Sequence, residues 1–341
     1  MEQSPVHHQM LVARELGGAG LIGLHIASYL QRHGKNAEVW VPGHGPAEQA
    51  VKQLGLPVQR YSPEAAFSGW RLRGALGNWA FGRRLRRRGS GLIHVHGPLY
   101  YGVFRLGLEW SRLARIVHIQ IEEREHLLRW ALRSPPELIV TCARFLVDRV
   151  RRALPEGSDS TRIVAVPNAV DTEKFAPGPK GPAKERVGAP RGKPLALMLA
   201  NLAPHKGQET VIRAAALLKQ RDVDVTFWLA GSERDGKSDY TKQLQALMRA
   251  TGVADRVELL GQRSDVPDLL RAADFFLLPS TREGLPLSVL EAQASRVPVL
   301  AAPTAGVPEV IQDGQTGFLI PADDADGYAC RIEQLLTAPE L

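Results

Sequence analysis

Short strand-like apolar runs alternate with longer amphipathic runs along nearly the whole chain, and this pattern admits few folds. In the first half, strands are expected at Met10–Ala13, Ala37–Val41, Leu92–Val95, Arg115–Ile119, Leu138–Thr141 and Ile163–Val166. Helices are expected between them, as at Leu21–Arg32, Leu99–Leu113 and Ala143–Ala153. The second half repeats the pattern. Strands are expected at Leu195–Ala200, Val225–Ala230, Arg256–Leu260, Phe275–Leu278 and Val297–Ala301, and helices at Gln208–Gln220, Tyr240–Thr251, Leu287–Ser295 and Asp324–Leu336. Strands separated by helices pair in parallel through right-handed crossovers, so the fold class is α/β with doubly wound sheets.

A length of 341 residues suits two such domains. The stretch VPNAVDTEKFAPGPKGPAKERVGAPRGKP, residues 166–194, holds six prolines. Proline removes a backbone donor and clashes in helix interiors, so a linker is expected at 169–193, between a first domain at 1–168 and a second at 194–341. A 44% hydrophobic and 23% charged composition excludes a disordered or fibrous chain. Two cysteines far apart, Cys142 and Cys330, point to a reducing compartment, so a cytoplasmic location is expected. No apolar run approaches the ~20 residues of a membrane span, and the start MEQSPVHHQ lacks the pattern of a secretory signal.

Charge is uneven. Residues 1–175 carry 24 basic and 15 acidic side chains, a net +9, whereas 176–341 carry 19 and 21, a net −2. Between Glu64 and Glu109 there are eight arginines and no acid, which suggests an anionic partner. Trp70–Arg88, WRLRGALGNWAFGRRLRRR, combines Trp70, Leu72, Leu76, Trp79 and Phe81 with a cationic end at Arg83, Arg84, Arg86, Arg87 and Arg88. That composition suits an anionic membrane surface; a solvated arginine face with its aromatics packed inside is the alternative. Glycines 74, 77 and 82 weaken a helix there. No nucleic-acid partner is expected, because no recognised aromatic or helix-turn-helix motif accompanies the arginines.

Loops after strands carry the candidate chemistry, because ligands in open α/β sheets bind outside the carboxyl ends of the strands. Gly18–Gly23 satisfies GxGxxG, but the next strand ends in Trp40-Val41-Pro42 without the acid a dinucleotide site wants. What survives is a glycine-rich turn at a helix N-terminus, able to approach an anion. His94 and His96 share a strand face; no further ligand cluster is expected beside them, so no metal is expected, and His96 is read as an acceptor-side substrate contact. The acidic pairs at Asp222/Asp224 and Asp324/Asp326 fall at the wrong strand edge and at a helix start, so both are read as structural. The strongest signal is EGLPLSVLE: Glu283 in the loop after FFLLPS, and Glu291 about two turns into the next helix. Helix N-terminal amides can hold phosphate oxygens, and flanking carboxylates can accept hydrogen bonds from sugar and ribose hydroxyls. Lys206, in NLAPHKG, is likewise placed to meet a diphosphate.

Together VPNAVDTEKF, NLAPHKG, LAGSE and the run from VELLGQRSDV to GQTGFLIP resemble the retaining GT4-like glycosyltransferases of GT-B fold, from about residue 164 to 321. The first half resembles them only through its glycine-rich turn, IHVHG and His118. The resemblance implies two Rossmann-like domains facing across a cleft. It implies transfer from a UDP- or GDP-linked sugar to a saccharide or lipid-linked acceptor, without metal or other cofactor. It further implies that Lys206 neutralises the diphosphate, Glu283 meets the transferred sugar, and Glu291 holds the ribose. Backbone at Gly284, Leu285 and Leu287 would touch sugar or phosphate, and the 261–266 loop with Arg263 would line the base. His118 would approach the donor sugar, and Gly17 and Gly18 the phosphates. Asn201 stands where the family often has a phosphate-binding arginine, and Gly306 stands alone where a glycine pair is frequent. Asn201 thus makes a catalytically weakened sugar-nucleotide-binding protein the alternative. A C-terminal helix returning to the first domain is also implied, but the sequence reaches Leu341 before one can be read.

Overall fold

A computed structural model of the chain describes residues 5–64, 71–233 and 239–338. The chain divides into two compact units, Met1–Asn168 and Ala169–Leu341.

The first unit is built on a seven-stranded parallel sheet in the order β3-β2-β1-β4-β5-β6-β7. Its strands are β1 (Val6–Met10), β2 (Asn36–Val41), β3 (Val58–Arg60), β4 (Gly91–Val95), β5 (Ala114–Ile119), β6 (Leu138–Thr141) and β7 (Arg162–Ala165). Among its helices are α1 (Gly18–Arg32), α2 (Pro46–Gln53), α3 (Arg71–Arg86), α4 (Pro98–Ser111), α5 (Glu125–Ala131) and α6 (Phe145–Ala153). The first strand lies earlier than the expected Met10–Ala13, because VHHQM hides its strand character behind polar residues. His8 and Gln9 are both buried, and each is bonded laterally: His8 Nδ1 lies 2.9 Å from Glu38 Oε1, and Gln9 Oε1 2.9 Å from His96 Nε2.

The second unit repeats the winding with six parallel strands in the order β10-β9-β8-β11-β12-β13. These are β8 (Leu195–Leu199), β9 (Thr226–Ala230), β10 (Val257–Gly261), β11 (Phe275–Leu278), β12 (Val299–Ala301) and β13 (Phe318–Leu319). Its helices include α7 (Lys180–Val187), α8 (Gln208–Gln220), α9 (Tyr240–Ala250), α10 (Val266–Ala272), α11 (Leu287–Ala294) and α12 (Ala325–Thr337). Every residue of β11 is buried, as parallel strands covered on both faces require.

The proline-rich stretch expected to link the domains at 169–193 is instead part of the second unit. It folds as α7, with Pro182 in the first turn, where the missing N–H has no intrahelical acceptor to serve. Gly188 ends the helix in the left-handed region at φ 76°. Phe175, Ala183, Val187 and Ala189 join the core of the second unit. Asp274 fastens the segment, accepting from Lys180 Nζ at 2.6 Å, Lys184 Nζ at 3.0 Å and the Leu195 N–H at 2.8 Å.

Candidate functional site

In a sheet of this winding the strand order reverses between β8 and β11, and the loops leaving these two strands meet there. After β8 the chain makes one 3-10 turn, Pro204–Lys206, and reverses at Gly207 with φ 81°. A Cβ on Gly207 would sit 2.1 Å from the Pro279 carbonyl oxygen, so only glycine lets the two loops approach this closely. The Thr281 N–H donates to the His205 carbonyl at 2.9 Å and locks one loop on the other. Lys206 Nζ thereby reaches Glu283 Oε1 at 2.7 Å, with side chains only 18% and 7% exposed.

Beyond Glu283 the backbone is held by the Gly306 N–H, which donates to the Gly284 carbonyl at 2.7 Å. Leu285 is buried. Leu287 opens α11, whose N-cap is Pro286, with no side-chain cap and no acid in the first turn. Its first amides therefore lack both an intrahelical and a capping-side-chain partner, which gives this end an affinity for anions. Glu291 lies on the same helix; burial pushes its carboxyl above the ordinary range, with Lys174 pulling the other way. Arg263 forms a bidentate ion pair with Asp265 in the loop before α10. The Asn201 carbonyl accepts from Gln208 Nε2 at 2.9 Å. The glycine that the sequence lacks beside Gly306 has a structural counterpart: Ala305 sits at φ 58°, where glycine is unstrained. The acidic pairs are structural here: Asp224 pairs with Lys193, Asp326 with Arg221, and Asp324 caps α12 through the Gly327 N–H.

In the first unit, Gly17 is the N-cap of α1 and Gly18 its first residue, with no side-chain cap. A Cβ on Gly23 would meet Leu11 at 2.5 Å and His96 at 3.0 Å, so the last glycine of the motif lets α1 lie close on the sheet. His96 and His118 are buried, 2% and 4% exposed. The expectation that no further ligand joins His94 and His96 is overturned. His118, from the neighbouring strand β5, completes a group in which one ring nitrogen of each histidine lies within 4.8 Å of the others. Residues on adjacent parallel strands share a face at matching register, and His94 pairs with Ile116 two positions before His118. Burial keeps all three imidazoles neutral: His94 is pushed down to about 3, His118 to about 4, and His96 well below its ordinary value.

The arginine-rich segment forms α3 despite its glycines, because Gly82 and, on the other side, Gly107 of α4 let the two helices cross at contact distance. A Cβ on Gly82 would lie 2.3 Å from the Gly107 carbonyl oxygen. Trp70 lies outside the described residues. Phe81 is not available to a surface; it is buried against Trp40, Tyr61 and Phe104. Arg84 and Arg88 are engaged too, the first with the Arg60 carbonyl and the second with Glu38. What faces outward is Leu76, Trp79, Leu106 and Trp110, with Arg83 and Arg86 over the two indole rings at 5.2 and 5.3 Å.

Residues 180–341 match the family described as Glycosyl transferases group 1, and residues 16–174 match Glycosyltransferase Family 4. The chain belongs to the GT4-like glycosyltransferases. D-inositol 3-phosphate glycosyltransferase 2 of Catenulispora acidiphila is 34% identical over 190 residues, 54% of this chain and 44% of that protein. A GDP-mannose-dependent alpha-(1-6)-phosphatidylinositol monomannoside mannosyltransferase of Mycolicibacterium smegmatis is 33% identical over 190 residues, 53% of this chain and 48% of that protein. The chain spans about half the length of the curated relatives it matches. Among solved structures, Anabaena HepE in complex with UDP-glucose superposes with a TM-score of 0.84 at 21% identity, over 98% of this chain and 90% of that one. Two doubly wound parallel units of this kind are the GT-B fold of these glycosyltransferases.

Proposed function

We propose that the protein is a retaining glycosyltransferase that moves a sugar from a nucleotide-linked donor to a saccharide or lipid-linked acceptor on the cytoplasmic side. The observation that carries this reading is the Lys206–Glu283 pair beside the uncapped start of α11. In this reading Lys206 exchanges Glu283 for the donor diphosphate, and the α11 amides take a phosphate oxygen. Glu283, released, accepts from a hydroxyl of the transferred sugar, and Glu291 accepts from the ribose. Gly17 and Gly18 approach the phosphates, Arg263 and its loop line the base, and His118 and His96 serve the donor-sugar and acceptor sides. Charge grows on the leaving phosphate as the bond to the anomeric carbon stretches, and fixed positive groups there stabilise that state. The acceptor oxygen attacks the face being vacated and its proton passes to the leaving phosphate oxygen, so configuration is kept. Lysine and the helix terminus supply the charge, so no metal is needed at the diphosphate.

A UDP-sugar is the first donor reading and a GDP-sugar the second, supported by the names of the HepE complex and of the mannosyltransferase relative. The test is release of nucleoside diphosphate from a panel of sugar nucleotides, with the product anomer read by NMR. Retained configuration, with turnover unchanged by added Mg²⁺ or Mn²⁺, is expected. An inverted product, or turnover that depends on the added ion, rejects this mechanism. Saturable nucleotide binding without any release would favour the second reading, a weakened sugar-nucleotide-binding protein, which Asn201 in place of a cationic residue favours.

The exposed Leu76, Trp79, Leu106 and Trp110, with their arginines, support an anionic membrane surface as the place where the acceptor is met. Among the described residues no helix is long and apolar enough to cross a membrane. Sedimentation with anionic vesicles should fall with salt and in an Arg83→Ser, Arg86→Ser, Arg87→Ser variant. Equal recovery with neutral vesicles would reject the membrane reading.

A further inference from the structure

Lys206 and Glu283 meet at 2.7 Å with 18% and 7% of their side chains exposed, so neither charge can turn to bulk water when the other leaves. Removing one partner from a buried pair leaves the other charge uncompensated. The two partners differ in freedom. Glu283 stands on a loop fastened on either side of it: the Thr281 N–H donates to the His205 carbonyl at 2.9 Å, and the Gly306 N–H donates to the Gly284 carbonyl at 2.7 Å. Thr304 Oγ1 adds a bond to the Ser280 carbonyl at 2.8 Å. Lys206 instead carries its ammonium on a flexible four-carbon stem with three rotatable donors. The lysine therefore changes partners while the carboxylate stays in place.

Among the described residues Lys206 is the one cation in ion-pair contact with Glu283. Arg263, on the loop after β10, is held by Asp265. Asn201 carries no charge. Three occupancies of the site then differ in what Glu283 meets. In the free site it has Lys206. With a sugar nucleotide bound, Lys206 turns to the diphosphate and a sugar hydroxyl donates to Glu283, so both charges are served. With a nucleoside diphosphate alone, Lys206 is still drawn to phosphate, but the hydroxyl has left with the transferred sugar. A buried carboxylate then lacks a donor and lies beside a phosphate of the same sign. Both conditions disfavour that complex.

We propose, on the donor-site reading above, that Glu283 is the residue by which this site tells its donor from its spent product. It admits a nucleoside diphosphate that carries a sugar, and it takes Lys206 back from one that does not. Departure of the sugar is thereby coupled to release of the nucleotide.

The test compares two affinities in each of two chains. UDP and UDP-glucose, with GDP and GDP-mannose as a second pair, are titrated by calorimetry into the full chain and into its Glu283→Gln variant, without acceptor. Glutamine keeps an oxygen for a sugar hydroxyl but carries no charge to pair with Lys206 or repel phosphate. Whatever the substitution does to the free site enters both affinities alike, so their ratio isolates the bound states. In the variant that ratio should move toward the nucleoside diphosphate by about tenfold or more. An unchanged ratio, as a Lys206 ammonium bridging both anions would give, or a move toward the sugar nucleotide, overturns the proposal and leaves the donor site standing. Failure of the unmodified chain to bind any of the four nucleotides removes the donor site and the proposal together. If Glu283→Gln does not fold, the unmodified chain still decides. Saturating free glucose should then tighten UDP binding, or free mannose GDP binding, because its hydroxyls serve Glu283, and an affinity indifferent to the free sugar overturns the proposal.

Discussion

The two units wind their sheets alike, with the first strand of each next to its fourth, yet they fill the equivalent position with opposite chemistry. In the second unit the loops leaving the two central strands bring a lysine and a glutamate to 2.7 Å, beside a helix start without a cap. In the first unit the end of the fourth strand, β4, and its neighbour β5 carry three neutral, buried imidazoles. Topology supplies the place; the side chains at the strand ends decide what that place can do. A charged pair that can exchange partners suits a ligand that brings its own charge. Neutral rings, two of which keep unserved nitrogens, suit uncharged hydrogen-bonding groups.

The largest effect expected from breaking this contrast is at Lys206. Lys206→Ala should lower turnover by ~10²–10³-fold, as loss of a group aimed at developing charge does, with the fold retained. Steady-state release of nucleoside diphosphate measures it. Wild-type kinetics in that variant would remove the charged half of the comparison.

Next comes the anchor of the proline-rich segment. Burial would raise the Asp274 carboxyl, but Lys180, the Leu195 N–H and Lys184 outweigh it and hold it below the ordinary range. A depressed carboxyl stabilises the fold above its unfolded pKa and loses that contribution as pH falls through the folded value. Asp274→Asn should therefore cost about 1.5–3 kcal/mol at neutral pH and narrow its gap to the parent chain in acid. Urea unfolding at several pH values reads this, and a constant gap across pH would count against the ion-pair account.

A smaller effect is expected at Glu291. Glu291→Ala should weaken nucleoside diphosphate binding about tenfold, ~1.4 kcal/mol, as one lost acceptor does. Calorimetric titration decides it, and an unchanged affinity would remove the ribose role. The smallest effect is a gain. Ala305→Gly should stabilise the chain by about 0.5–1 kcal/mol, because relief of the left-handed strain exceeds the entropy added to the unfolded state. An unchanged or lowered melting temperature would show that the loop has already relaxed.

Much of the second unit is legible in the sequence itself. The apolar run FFLL marks a buried parallel strand, and β11 is Phe275–Leu278, as expected. The helix Gln208–Gln220 also falls where the apolar period puts it. The second-unit loops could be read because their chemistry is contiguous: a lysine before one helix, and two glutamates around the start of another. The strand VHHQM escapes a local reading because its buried His8 and Gln9 bond laterally to Glu38 and His96, which a local pattern does not contain. Proline density suggested a linker, but Pro182 falls in a first helical turn, and Asp274, far along the chain, supplies the attachment.

The amino-acid order alone thus determined the two wound sheets and the Lys206, Glu283 and Glu291 motifs, because periodicity and short loops are local properties of the chain. Only the tertiary structure decided that Phe81, Arg84 and Arg88 belong to the fold rather than the surface, and that His118 joins His94 and His96. Those outcomes depend on which strands become neighbours and in what register. That is settled by packing across the sheet, where residues distant in sequence meet.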